Sequence, residues 1–591
     1  MSTSKLTSLA DAIQKHVHAE MHLNFGSTPF RSNVAIRELA RIWRGRDPRF
    51  VLSATGFHST AHLLPLLRLG RRYISSFFGD NYPIPRPNPL YSQVKAEGAA
   101  LEFWSLSSYV AALRAGAMGH KHAVTNSLVG STMGEDLARE GRFQVIEVPS
   151  DGGVERTGMV KAMRPDVTFV HGLAGDAAGN VLFSKPSCEG FWGALAAQEG
   201  VIVTVERIVD GDFCAQHPDA IAIPSHRVLA VCHAPMGAHP QPLLPLRQAN
   251  LTGYPDDFDE YLRWRDLTRD PEMFLGFVEQ VLEARDGEAA YTKWVGAERL
   301  QRLRRARRNL PPERTPPRRK DYTSANEAWP TETPGGVVKA TTAQIVMAAR
   351  VIRERVLAGN YPVILAGIGH SFLAARLAKL WLAERDDFDV KVMIEIGLFD
   401  VECGPSCHPF LLSYDNLMQA ERLTSVEDVL AACTCGSDNR CLGVIGAGQI
   451  DPTGAINSTW IAPDRMLVGS GGANDIASSA AEVIVLTRCS PSRMVKKVDY
   501  VTSPGHRVTR VVTGACVFAR EETSSEDWEV RDVYPILGGR PTADVLATVR
   551  ERCPWPVNEL EGHSPAPLIS TDELKLLYQL DPQGEHWARE R

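Results

Sequence analysis

Along the chain, short runs of β-branched and other apolar residues alternate with longer stretches in which apolar positions recur at helical spacing. Val201-Ile202-Val203-Thr204-Val205 and Val483-Ile484-Val485-Leu486 are of the first kind, and Ala343 to Val356 is of the second. Strand-length apolar runs separated by helical segments predict mainly parallel sheets covered by helices. The pattern occurs twice. Val51-Leu52-Ser53-Ala54-Thr55-Gly56-Phe57-His58 and Val363-Ile364-Leu365-Ala366-Gly367-Ile368-Gly369-His370 each read as an apolar strand, a glycine-containing turn and a helix start. An Asp-x-x-Gly turn follows in each half, at Asp176 to Gly179 and at Asp451 to Gly454, and after it one of the β-branched strands. This shared order predicts a diverged duplication, two similar open α/β domains with the site at their interface.

Between about residues 300 and 340 the periodicity lapses. Arg302, Arg304, Arg305, Arg307, Arg308 and Arg314 surround or precede Pro311, Pro312, Pro316 and Pro317. Proline pairs cannot continue a helix and the charges keep the segment in water, so a linker over 301–340 is expected between domains at 1–300 and 341–591. The arginines lack the interleaved aromatics of a nucleic-acid surface, and a net charge of −6 gives no basic footprint. A length of 591 residues exceeds one hydrophobic core, and 44% hydrophobic with 23% charged residues is a globular balance. Met1 to Glu20 lacks the continuous apolar core of a signal peptide, and nowhere do about 18 uncharged apolar residues run together. Eleven cysteines suit reduced thiols better than a disulfide framework. A cytoplasmic protein with neither a membrane nor a nucleic-acid partner is therefore expected.

Three stretches carry candidate chemistry. Gly367-Ile368-Gly369-His370-Ser371-Phe372 invites a dinucleotide reading, but Phe372 stands where close helix packing wants Gly or Ala, and no acidic residue ends a second strand at the right distance. A phosphate at the helix start remains compatible with it. Leu467-Val468-Gly469-Ser470-Gly471-Gly472-Ala473-Asn474-Asp475 is a second strand-to-helix turn, whose glycines let the backbone approach a ligand or simply make a tight turn. Between them lies Lys391-Val392-Met393-Ile394-Glu395-Ile396-Gly397-Leu398-Phe399-Asp400, where Glu395 is a carboxylate in apolar surroundings, either paired or functional.

Taken together, these stretches resemble the family I CoA-transferases, specifically the glutaconate CoA-transferase group. The second half is similar to the β subunit through Ile394 to Asp400, Gly446-Ala447-Gly448-Gln449-Ile450-Asp451-Pro452-Thr453-Gly454, Gly469 to Asp475, and Lys497 to Gly505. The first half is similar to the α subunit through Gly56-Phe57-His58, Leu113 to Gly119, Asp166 to Asn180 and Val203 to Asp210. The resemblance implies both subunits fused in one chain, coenzyme A bound as an acyl-CoA substrate, a carboxylic acid as second substrate, no metal, and a homodimer of fused chains.

It also implies that Glu395 is the nucleophile of a ping-pong reaction through a glutamyl-CoA thioester. Gly367, Gly369, Gly469, Gly471, Gly472, Ala473 and Asn474 would form the oxyanion hole and CoA contacts, and Gly56, His58, Gly119, His370 and Gln449 would touch substrate. Amides around Gly471 and Gly472 are expected to meet the oxyanion. Ile396 replaces a polar residue of the group, which should raise the Glu395 pKa by desolvation. His58 and His370 are either structural or general bases toward water, so hydrolysis, lysis or decarboxylation of a CoA thioester on the same scaffold stays open, as does a non-catalytic CoA-binding protein. Glu206 reads as structural. Cys403, Cys407, His408, Cys433, Cys435 and Cys441 lack the spacing of structural zinc knuckles and read as buried thiols.

Overall fold

The fold is built on two eight-stranded sheets, one in each half of the chain. The computed structural model describes residues 4–150, 153–185, 188–189, 191–306, 339–402, 407–436, 439–521, 523, 526–534, 542–559 and 566–584. In the first sheet the strands lie in the order Val228–His233, Gly200–Ile208, Val167–Gly175, His22–Phe25, Phe50–Ser53, Gly70–Ser75 and Ala100–Phe103, all parallel, with Val181–Leu182 added antiparallel to Val167–Gly175. The β-branched run at 201–205 is buried throughout because a central parallel strand is covered on both faces.

The second sheet runs Lys391–Met393, Val363–Ala366, Cys441–Gly446, Glu482–Leu486 and Val508–Val512 in parallel, then turns antiparallel through Val517–Ala519 and Trp528–Arg531 before Val557–Glu559. Helices Ala340–Gly359 and His370–Arg385 cover it. The two Asp-x-x-Gly turns are built alike. Gly179 at φ +95° and Gly454 at φ +84° each donate an N–H to the aspartate carbonyl three residues back, and each aspartate side chain accepts the backbone N–H two residues on, Ala178 or Thr453.

Both sheets reverse their winding near the middle. The chain leaves His22–Phe25 toward one edge, then returns to its other side at Val167–Gly175. It leaves Val363–Ala366 for Lys391–Met393, then returns to the other side at Cys441–Gly446. Such switch points open a crevice at the carboxyl ends of the strands, where ligands of α/β proteins bind. Here both open on one shared cleft.

The linker expected over 301–340 begins later than its arginines suggested. Arg302, Arg304 and Arg305 stand on the last turns of a helix, Ala297–Arg305, and 307–338, with the proline pairs, lie outside the described residues. The basic residues at a helix C-terminus are favoured by its dipole, so a cluster of arginine did not mark the end of regular structure. No helix among the described residues is long and apolar enough to cross a membrane.

Candidate active site

Glu395 stands at the tip of a tight hairpin turn directly after the edge strand Lys391–Met393. The Gly397 N–H donates to the Ile394 carbonyl at 3.1 Å, and the Ile394 N–H to the Leu398 carbonyl at 2.9 Å. Gly397 makes this turn feasible. Its φ is +103°, and a Cβ there would lie 2.2 Å from the Thr424 carbonyl oxygen. In sequence Glu395 reads as part of an apolar strand end; the turn tips its side chain into the cleft instead, where it is half-buried beside Ile396.

The glycine loop between the short strand Arg465–Met466 and helix Ala473–Ser479 meets it. The Gly472 N–H donates to Glu395 Oε2 at 2.9 Å, at the start of helix Ala473–Ser479. Burial, and after it the charge of Asp475, pushes the Glu395 carboxyl up to about 7, and the Gly472 N–H opposes this. Gly471 differs from the expectation that it would offer its amide to an oxyanion. That N–H donates to the Ser76 carbonyl at 2.9 Å, because the loop is sewn edge-on to the first half, where the Phe78 N–H also donates to the Val468 carbonyl at 2.8 Å.

The cleft encloses about 740 Å³ and is lined from both halves. Gly56 and His58 come from the first half; Gly367, Gly369, His370, Gly469, Gly471, Gly472 and Ala473 come from the second. His58 is buried, and burial with the charges of Arg31 and His62 holds its pKa well below the usual imidazole value, so it is neutral at pH 7. Three expected residues stand elsewhere. Gly119 is exposed after helix Leu106–Ala117 and lines no part of the cleft. Asn474 is buried, with Oδ1 accepting the Leu128 N–H at 2.9 Å and its amide donating to the Thr502 carbonyl at 2.8 Å, so it joins the halves. Gln449 lines an adjoining cavity of about 550 Å³, which shares Pro87, Leu467 and Arg493 with the cleft.

Two cleft residues carried no signal that the sequence patterns above picked out. Arg31 is 1% exposed, donates to the Gly26 and Gly56 carbonyls at 3.2 and 2.8 Å, and forms no ion pair with a described carboxylate. Cys188 lies next to Glu395 and Glu189, and burial pushes its thiol well up. Arg31 follows Phe25-Gly26-Ser27, a glycine turn after the strand His22–Phe25, where His22 and Asn24 interrupt the apolar run that marked the two turns read in sequence. Glu206 accepts from the His171 ring and from the Met236 N–H at 2.7 Å. His408 stacks on Phe258 with ring centroids 4.2 Å apart. Cys403 lies outside the described residues, among which no three His, Cys, Asp or Glu side chains are grouped to hold a metal ion.

A family model described as Coenzyme A transferase matches residues 6–234 and 434–535, more than half of the chain. The chain belongs to the coenzyme A transferase family. The match takes in the glycine loop at 469–472, while Glu395 lies between its two regions. One of the subunits of 3-oxoadipate CoA-transferase from Pseudomonas knackmussii is 33% identical over 185 residues, 30% of this chain and 56% of that protein. One of the subunits of glutaconate CoA-transferase from Acidaminococcus fermentans is 32% identical over 168 residues, 25% of this chain and 55% of that protein. The chain spans about half the length of the curated relatives it matches. The crystal structure of an acyl-CoA transferase apoenzyme from Escherichia coli O157:H7 superposes with a TM-score of 0.60 at 12% identity, covering 95% of each chain. That likeness extends the transferase fold over both halves.

Proposed function

We propose that this family member moves coenzyme A between an acyl-CoA thioester and a carboxylic acid, with Glu395 as the covalent carrier. The observation that carries the proposal is the Glu395 carboxylate, set in the wall of the shared cleft and held by the Gly472 N–H. Carboxylate attack on the thioester carbonyl releases CoA thiolate and leaves a mixed anhydride, and the thiolate then attacks the glutamyl carbon. In that second attack negative charge gathers on a Glu395 oxygen, and Oε2 already faces the Gly472 N–H. One activated acyl bond replaces another at each stage, so the protein's work is positioning and charge stabilisation.

The cleft offers a track for the nucleotide end of CoA. Arg488 and Arg493 line it, and Arg493 continues into the adjoining cavity beside Arg465. None of the three forms an ion pair with a described carboxylate, and burial together with the charges of Arg488 and Arg465 pushes Arg493 down. Positive charge that no ion pair with a described carboxylate takes up suits phosphates. Arg493→Ala is expected to lower kcat/KM for acyl-CoA about tenfold, the loss of one charge-assisted hydrogen bond, measured by steady-state kinetics.

Glutaconate and 3-oxoadipate, the acids in the relatives' names, are dicarboxylic, and the buried Arg31, which lines the cleft and forms no ion pair with a described carboxylate, suits a second carboxylate. The decisive assay incubates labelled acyl-CoA without acceptor, with a monocarboxylic acid and with a dicarboxylic acid. Product that forms only with an acceptor, and best with the dicarboxylic acid, supports the proposal. Thioester loss that needs no acceptor overturns transfer in favour of hydrolysis. The nucleophile must also be ionised. Activity is therefore expected to fall as pH drops through about 7, well above the limb near 4.5 that an ordinary glutamate would give, as a pH profile of kcat/KM will show.

A further inference from the structure

Behind the glycine loop, helix Ala473–Ser479 carries a carboxylate that takes no part in the bond changes of CoA transfer. Asp475 is 1% exposed. Both of its oxygens are held by the first half of the chain: Oδ2 accepts the Ser107 N–H at 3.0 Å and Oδ1 accepts the Ser127 hydroxyl at 2.5 Å. The same helix start supports the loop itself, since the Leu106 N–H donates to the Gly471 carbonyl at 3.0 Å. No described lysine, arginine or histidine forms an ion pair with Asp475. A buried carboxylate held only by neutral donors keeps its negative charge in place without having it cancelled.

That charge stands in the first turn of the helix whose N-cap, Gly472, holds the nucleophile: Gly472, three residues before Asp475, donates its N–H to Glu395 Oε2 at 2.9 Å. Burial pushes the Asp475 carboxyl up to about 6, below neutrality, so it is largely ionised at pH 7. Among the described residues, the Gly472 N–H also faces Glu395, as does the Cys188 thiol, which is neutral because burial pushes its pKa well up.

We propose that Asp475 is a positioning residue of the transfer reaction, whose fixed charge, anchored by the first half, drives negative charge off Glu395 and so favours the covalent glutamyl-CoA state. The proposal rests on the transfer reading. In the first half-reaction the acyl C–S bond breaks, and by way of the mixed anhydride a bond forms between the Glu395 carboxyl carbon and the CoA sulfur. One Glu395 oxygen departs with the acyl group as a free carboxylate. Negative charge thus starts on Glu395, at the N-terminus of the helix that carries Asp475, and ends on an acid that leaves for water. The neutral thioester is free of the like-charge repulsion that the carboxylate suffers. A side chain that merely held the loop would not bias this equilibrium.

Asp475→Asn keeps the size and an oxygen for the Ser107 N–H while removing the charge. The full-length protein is equilibrated with succinyl-CoA and succinate at set ratios, quenched in acid and weighed intact, and the same is done over a pH series. The ratio of CoA-bearing to free enzyme is expected to fall roughly tenfold, the equivalent of one pKa unit, and the acid limb of adduct formation to move below pH 7. An Asn variant with the wild-type partition and the wild-type acid limb overturns the proposal, whatever happens to its turnover. Should that variant fail to fold, Ser127→Ala removes one donor, raises the Asp475 carboxyl and is expected to shift the partition the same way to a lesser extent; an unshifted partition there also overturns it. A wild-type chain that accepts CoA from none of acetyl-, butyryl-, succinyl- and glutaryl-CoA rejects instead the transfer reading beneath it.

Discussion

Replacing Glu395 by alanine is expected to lower CoA transfer by about three orders of magnitude or more, since a covalent carrier has no substitute within the step it performs. The fold should survive. The turn that presents Glu395 depends on Gly397 and on backbone hydrogen bonds, and the Glu395 side chain makes no ion pair with a described residue. Its pKa is raised in the folded chain, from 4.5 to about 7, so the unfolded chain releases this proton at lower pH than the folded one does. The carboxyl therefore costs stability as pH rises from 4.5 to 7, and the full cost persists above 7. Thermal unfolding of Glu395→Gln should accordingly show a higher Tm than wild type at pH 8, with the difference vanishing toward pH 4.5. Lost activity in a chain of equal or greater stability separates a nucleophile from a structural glutamate.

The second large effect is expected at Gly472. A Cβ there would stand 2.1 Å from Glu395 Oε2 and 3.1 Å from its carboxyl carbon. Backbone strain is not the reason, because Gly472 has φ −87°, which alanine adopts freely. The whole burden of Gly472→Ala falls on the carboxylate, which must leave its place and its N–H donor. Loss of one oxyanion donor corresponds to a fall in kcat of about 10²- to 10³-fold. Steady-state kinetics with a thermal melt will separate that from unfolding, since the predicted melt is close to wild type. A variant with full activity would show that the contact between loop and carboxylate is incidental.

Local periodicity carried much of this architecture. The strand at 363–366, its glycine turn and the helix from His370 are short-range features, written in adjacent residues, and the same holds for the glycine loop and the helix after it. The duplicated Asp-x-x-Gly turns were legible because each aspartate closes on its own neighbours. What resisted reading was decided across the chain. Asn474 looks the same in sequence whether its amide faces a ligand or the Leu128 backbone 346 positions away. Whether the Gly471 N–H is free depends on Ser76, in a bend after the strand Gly70–Ser75 of the other half. Gly119 lies in a stretch similar to a relative's motif yet ends a helix facing outward. Arg31 sits on a loop whose polar neighbours follow no period. A charge pattern misled in one place, where the arginines at 302, 304 and 305 read as linker and form helix.

The central claim is that CoA becomes bonded to one carboxyl group. The most direct measurement is peptide mass spectrometry of the chain after brief exposure to acetyl-, butyryl-, succinyl- or glutaryl-CoA and acid quenching. The account predicts a CoA adduct on the peptide containing Glu395, discharged when a carboxylic acid is added and absent from Glu395→Ala. Turnover with no adduct at residue 395, or with the adduct on another side chain, would contradict it.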